Sequence, residues 1–171
     1  MKLEEAILKI RGELSKKYNG WDTITPKERR LLCAAYMCDV YKVHEIGSSN
    51  TGEWVNVFLR AAGLSPGNPW CAAFLSFCSI VAGAWYPTEN PGAVLSWKRE
   101  GTKLSRASRG DIVLHMFSAV TGHIGVCVAS IDGVISSIEG NTQSGISGNQ
   151  RDGGAIYRRK RNGFYDVVRA G

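Results

Sequence analysis

The thiols and imidazoles of this chain are few: cysteines at 33, 38, 71, 78 and 127, and histidines at 44, 115 and 123. Cys71 has the most informative surroundings. In Asn68-Pro69-Trp70-Cys71-Ala72-Ala73-Phe74-Leu75-Ser76-Phe77-Cys78, a connection rich in Gly and Pro runs into an apolar helical stretch, and the cysteine falls on the boundary. A helix N-terminus stabilises a thiolate, because unpaired backbone N–H groups and the macrodipole both favour negative charge there. Cys71 is therefore the candidate nucleophile. The competing reading of this stretch alone is burial, the ordinary fate of a free cysteine. Cys78, two turns further along the same helix, takes that second reading.

A cysteine nucleophile needs a base within hydrogen-bond reach and a third group to orient that base. In Gly122-His123-Ile124-Gly125-Val126-Cys127-Val128-Ala129, the strand period of two puts Ile124, Val126 and Val128 on one face. His123, Gly125, Cys127 and Ala129 take the other. The small side chains of that second face would admit a helix N-terminus close to the imidazole, which makes His123 the candidate base. His115, on the same side as Val113 and Phe117 in Asp111 to Phe117, reads as a partly buried structural histidine. His44 follows a helix and suits its C-terminal dipole.

The strand Val134-Ile135-Ser136-Ser137-Ile138-Glu139-Gly140-Asn141 ends with Glu139 and Asn141 two residues apart, facing the same way. Either would serve as acceptor for the imidazole N–H. A carboxylate would fix the tautomer and stabilise an imidazolium, whereas an amide would only orient the ring. The triplet Glu139-Gly140-Asn141 also suits a plain turn.

These residues need a scaffold. Leu3, Ile7, Ile10 and Leu14 recur at helical spacing, with acids at the start and Lys16 and Lys17 at the end, which predicts an amphipathic helix closing near Gly20. Thr25-Pro26-Lys27-Glu28 reads as a capping box, opening a helix whose apolar face is expected at Leu32, Tyr36, Val40 and Val43. Cys33 and Cys38 in that helix are five residues apart and point in different directions, which favours packing over a metal site or disulfide. The polar loop from Glu45 to Glu53 leads to a short helix carrying Val55, Phe58, Leu59 and Ala62, with Asn50 and Glu53 as its capping pair and Gly63 as its end.

From 84 to 109 the chain reads as irregular, tolerant of insertions, with one short helix around Val94 to Arg99. After Gly110 the period becomes strand-like over Asp111 to Phe117, Gly122 to Ser130, Gly133 to Glu139, Ala155 to Arg159 and Phe164 to Val168. Helices followed by an antiparallel sheet make an α+β fold, with the nucleophile at a helix N-terminus packed on the sheet. Residues 1–44 form a helical extension packed on the same domain as 45–171, so a single structural domain is expected.

The 171 residues, 44% hydrophobic, suffice for a sizeable core. The formal net charge of +6 favours a polyanionic partner, whether nucleic acid, an anionic lipid surface or a cell-wall polymer. Arg158-Arg159-Lys160-Arg161 is the one basic run and reads as a solvated edge or turn. The acidic N-terminus, Met1-Lys2-Leu3-Glu4-Glu5, does not resemble a secretory signal, and no run reaches membrane-spanning length, so synthesis in the cytoplasm without membrane insertion is expected. The cysteine spacings match neither a disulfide framework nor a zinc site.

Taken together, Gly67-x-Pro69-Trp70-Cys71-Ala72-Ala73-Phe74, Gly110-Asp111-Ile112-Val113, Gly122-His123-Ile124-Gly125-Val126 and Ile138-Glu139-Gly140-Asn141 resemble the CHAP family (cysteine, histidine-dependent amidohydrolases/peptidases) of the NlpC-type papain-like superfamily. The four motifs occur in the family's order over about residues 45 to 160. Glu45-x-Gly47 to Leu64 also resembles the approach to the nucleophile in phage-associated members.

The resemblance implies a papain-like fold and a peptidoglycan hydrolase that cuts an amide bond of the stem peptide, as an N-acetylmuramoyl-L-alanine amidase or an endopeptidase. Cys71 would attack, His123 would serve as base and then acid, and Glu139 would orient His123, with Asn141 assisting or substituting. No metal or organic cofactor is implied, and the acidic calcium ligands of some members are absent. The enzyme would act on the cell wall or in the periplasm, as a phage lysis enzyme, a bacterial autolysin or an injected toxin with an immunity partner. The alternative is a catalytically inactive papain-like module that binds wall polymer or a protein. Nucleic-acid binding has the charge in its favour but neither motif nor aromatic platform.

Overall fold

The computed structural model describes residues 1–143, 154–162 and 166–169. Among these are five α-helices: α1 (Leu3–Lys17), α2 (Pro26–Asp39), α3 (Glu53–Ala61), α4 (Cys71–Ala82) and α5 (Val94–Glu100). They are followed by strands β1 (Thr102–Leu104), β2 (Ile112–Met116), β3 (Gly122–Ile131), β4 (Val134–Thr142), β5 (Ala155–Asn162) and β6 (Asp166–Arg169). The strands form one sheet in the order β1-β6-β2-β3-β4-β5, and every neighbouring pair is antiparallel. The fold is therefore mixed α+β. None of the described helices is long and apolar enough to cross a membrane.

The sheet has two different faces. Leu114, Ile124, Val126, Ile138 and Ile156 join the helices in the main core, where Phe58, Phe74 and Phe77 pack as an aromatic cluster with Trp54 and Trp70. The opposite face carries a small apolar cluster, Val113, Cys127, Ile135 and Val167, and beside it the polar side chains of His123, Ser137 and Glu139. Ala6, Ile10 and Leu14 of α1 and Leu31, Cys33, Ala34 and Met37 of α2 belong to the main core, so residues 1–44 pack on the rest of the chain.

α4 is apolar nearly all round and buried except at Ile80, which is why it occupies the centre. Gly83, in the left-handed region at φ 63°, ends it. α2 starts as expected: the Thr25 hydroxyl accepts from the Glu28 N–H at 3.3 Å, and Pro26 takes the first helical position. Its buried stripe, however, is Arg30, Leu31, Cys33, Ala34 and Met37, whereas Leu32 and Tyr36 are half-buried and Val40 is exposed. A charged residue disguises the stripe. Arg30 is fully buried because its guanidinium donates to the carbonyls of Gly110 (2.8 Å) and Trp85 (3.4 Å).

Other expectations are corrected. α3 is preceded by Gly52 at φ 148°, not capped by Asn50, whose N–H instead donates to the Glu45 carboxylate at 3.1 Å. In the segment 84–109, α5 falls on the expected short helix, but the rest is not merely irregular: β1 joins the sheet and Trp97 is wholly buried, its indole donating to the Pro91 carbonyl at 2.9 Å. The basic run lies within β5: Arg159 and Arg161 point inward and are buried, while Arg158 pairs with Asp39 at 2.5 Å on the helix side. In the last expected strand, 166–168 lie in β6, and Phe164 falls outside the described residues. His44 does not lie against the end of α2, which closes at Asp39; it bridges to Ala155 beside β5.

The motif Gly110-Asp111 works as a joint between α2 and β2. Asp111 is buried, and its carboxylate takes the Lys27 ammonium at 2.7 Å and the Ser108 N–H and hydroxyl at 2.8 and 2.7 Å. Gly140 serves another joint. A Cβ there would lie 2.9 Å from the Phe74 Cβ, so α4 meets the sheet where β4 has no side chain. Gly140→Ala is expected to lower the free energy of unfolding by about 1–3 kcal/mol through overpacking. Gly12→Ala, at an exposed mid-helix position with nothing within 4 Å of the new Cβ, is expected to raise it by about 1 kcal/mol. Denaturant titration checks both.

Candidate active site

Cys71 is the first residue of α4, with Trp70 in the capping position. Trp70 supplies no side-chain cap, so the first-turn N–H groups are left beside the thiol. The helix begins there because Pro69 ends the preceding connection and the Trp70 carbonyl accepts the Phe74 N–H at 2.9 Å. Trp70 is wholly buried against Phe58 and donates to the Glu45 carboxylate at 3.4 Å, so it packs rather than walls a groove. Glu45 also receives the Asn50 N–H and so ties the 45–53 loop to the residue before the nucleophile.

Cys71 opens onto a cleft of about 580 Å³. Asn50, Gly67 and Pro69 line one part, Gly92, Ala93 and Val94 another, and Phe117, Val120, Thr121, His123 and Asn141 the rest. The hairpin between β2 and β3 is a rigid wall: the Ser118 hydroxyl accepts the N–H groups of Val120 and Thr121, and the Phe117 N–H donates to the Thr121 carbonyl at 2.9 Å. Phe117 and Val120 are exposed there.

His123 stands near the start of β3, is 3% exposed, and lies between Cys71 and Glu139. Its Nε2 is 2.9 Å from Glu139 Oε2, a close charge contact set off the ring N–H axis, which leaves Nδ1 for the thiol. Glu139 is 2% exposed. The Ser137 hydroxyl donates to its Oε1 at 2.7 Å, Arg161 Nε donates to Oε1 at 2.8 Å, and Arg161 Nη2 donates to Oε2 at 2.5 Å. Burial pushes the Glu139 carboxyl up, but Arg161 and His123 outweigh it and hold the group far below the usual carboxylate range. Burial also disfavours the charged His123 ring, yet the contacts with Cys71 and Glu139 prevail and raise it to about 9.

The small residues of β3 do a different job from the one expected. A Cβ on Gly125 would lie 2.7 Å from the Glu139 Cγ, so this glycine clears space for the carboxylate side chain and not for the helix, which approaches at Gly140. Of the two candidate orienting groups, Glu139 touches the imidazole. Asn141 lines the cleft instead: a register shift between Glu139 and Thr142 places it at φ 52°, and its buried Oδ1 has no hydrogen-bond partner among the described residues.

His115 pairs with His123 across β2 and β3, and burial, followed by Arg161, lowers it from its ordinary value. Cys78 is wholly buried, as expected. Sequence reasoning missed Arg161 and Ser137; the alternation of Arg159 and Arg161 along β5 was the available signal. Among the described residues, no group of three or more His, Cys, Asp or Glu is placed to hold a metal ion.

A thiol at a helix N-terminus, an imidazole and a buried carboxylate in sequence can store the thiol's proton on the ring and keep that ring charged. In a histidine NMR titration, His115 is expected to titrate below 6.5 and His123 near 9. Because His123 is raised above its unfolded value, its charged form stabilises the fold fully below about pH 6.5, and that contribution is lost as pH rises through 9. The stability deficit of His123→Gln should shrink over that interval, read by denaturation at each pH. Comparison with family models, curated proteins and solved structures found no match.

Proposed function

We propose that this chain is a cysteine amidase or peptidase of the CHAP kind, papain-like in fold, that hydrolyses an amide bond in the stem peptide of peptidoglycan. The observation that carries the proposal is the placement of His123 between Cys71, at the start of α4, and the buried carboxylate of Glu139. The order of the four sequence motifs supports the family, and the net charge of +6 suits an anionic wall polymer.

In this scheme the Cys71 thiolate adds to the scissile carbonyl, and the Cys71 N–H helps to hold the oxyanion, an interaction worth about 3–4 kcal/mol per donor. The 45–53 loop supplies the second donor: Asn50 lines the cleft, and its Nδ2 makes only a long 3.5 Å contact with the Gly67 carbonyl. His123 then gives its proton to the leaving amine as the C–N bond breaks, leaving a thioester. Water attacks the thioester, His123 takes a proton from it, and the thiolate departs with release of the acid. Glu139 holds the ring throughout. Asn141, whose side-chain carbonyl has no partner among the described residues and which lines the cleft, accepts a hydrogen bond from a substrate N–H.

Cys71→Ala and His123→Ala are each expected to reduce the release of new amines from purified cell walls at least about 10³-fold with the fold intact. Turnover undiminished in either variant refutes the assignment. Glu139→Gln should lower kcat about 10²-fold or more, while Asn141→Ala acts mainly on KM. Iodoacetamide at neutral pH should label Cys71 ahead of the half-buried Cys38, which burial pushes up to about 11. An ordinary, slow Cys71 would mark a module that only binds.

A further inference from the structure

Glu139 cannot be understood from β3 and β4 alone. Arg161 on β5 stands in register with Ile135, so its side chain must lie along the sheet, past Ser137, to reach Glu139. It grips both carboxylate oxygens, is 9% exposed, and does not belong to the residues lining the cleft. A guanidinium is not spent in this way on a surface edge. Its planar fork is the group best suited to fix a carboxylate in one orientation, and its charge is permanent over the working range of any enzyme.

We propose that Arg161 is a positioning residue whose fixed positive charge, acting through Glu139, sets the pH window in which Cys71 and His123 exist as a thiolate–imidazolium pair. Among the described residues, the titratable or charged side chains gathered here are Cys71 from α4, His123 from β3, Glu139 from β4, Arg161 from β5 and His115 from β2. Arg161 is the one among them whose charge does not change with pH. Without it, the negative charge of Glu139 beside the ring would lose its permanent counter-charge. Every proton near it would then be bound more tightly, so the thiol would ionise later and the imidazolium would persist to higher pH. With it, the carboxylate orients the ring without locking the proton there, and the ring can still hand that proton to a leaving amine. The inference rests on Cys71 and His123 being the reacting pair, but not on the identity of the substrate.

The test is the pH profile of Cys71 alkylation by iodoacetamide in the full chain, followed by peptide mapping. The wild-type profile is expected to show two inflections, for formation of the pair and for loss of the imidazolium proton. In Arg161→Met both should move up by about one pH unit, the shift expected when a charge at such range is removed. Arg161→Lys, which keeps the charge but not the fork, should leave both within a few tenths of a unit of wild type while lowering the plateau rate. Should the methionine variant fail to fold, Arg161→Gln carries the same comparison. Unmoved inflections in the uncharged variants, or equal shifts in the lysine and methionine variants, overturn the role of Arg161 and leave the reacting pair standing. A single wild-type inflection near that of a free thiol overturns the pair and the role of Arg161 together.

Discussion

A carboxylate removed from water is the constraint around which this structure is arranged. Glu139 is almost wholly buried, and an isolated buried carboxylate would take up a proton rather than remain charged. It stays ionised because, among the described residues, three groups compensate it: Arg161 through two donors, Ser137 through its hydroxyl, and His123 through charge. Each compensator comes with a structural demand. β5 must turn Arg161 inward, Gly125 must lack a side chain so that the glutamate has room, and β3 must present its histidine beside the end of β4. The compensation is local and complete enough to leave the ring poised for the thiol on its other side.

The sheet reconciles this polar arrangement with a dry core by assigning the two to opposite faces. Ile124, Val126 and Ile138 face the helices, whereas His123 and Glu139 alternate with them and face away. A nucleophile on a helix would then be on the wrong side, were it not placed at the helix terminus, where α4 meets the irregular end of β4. Gly140 lets Phe74 press against the backbone, and the register shift that follows turns Asn141 into the cleft. One irregularity in one strand thus serves helix packing and site construction together, as bulges near functional sites commonly do.

What could be read from the sequence follows from how local each signal is. Cys71 at the start of a helix was legible because Pro69 and the apolar run after it mark the boundary within a few residues, and the strand period placed His123 and Glu139 on faces that the structure retains. The features misread in the core and around the site depend on distant partners. Arg30 breaks the apolar stripe of α2 and is tolerated in the core because carbonyls from residues 85 and 110 receive it. Arg161 looks like part of a solvated run until a carboxylate from a neighbouring strand is brought against it. Gly125 invited a helix in prospect and accommodates a glutamate in fact, since a missing side chain shows only that something comes close.

The five cysteines show the same dependence on surroundings within one chemistry. Cys78 is wholly buried in the helix that Cys71 begins, and burial drives its thiol well above the ordinary value. Cys38 and Cys127 are pushed up to about 11, again by burial first. Such thiols are poor nucleophiles at neutral pH, because the reactive species is the thiolate. Cys71, at 8% exposure, is more shielded than the half-buried Cys38, so access alone does not distinguish it. What distinguishes it is a histidine already held in its charged form by a carboxylate, which is itself held by an arginine. The setting that separates this thiol from the other four therefore extends three residues away from the sulfur, to the pairing of β4 with β5.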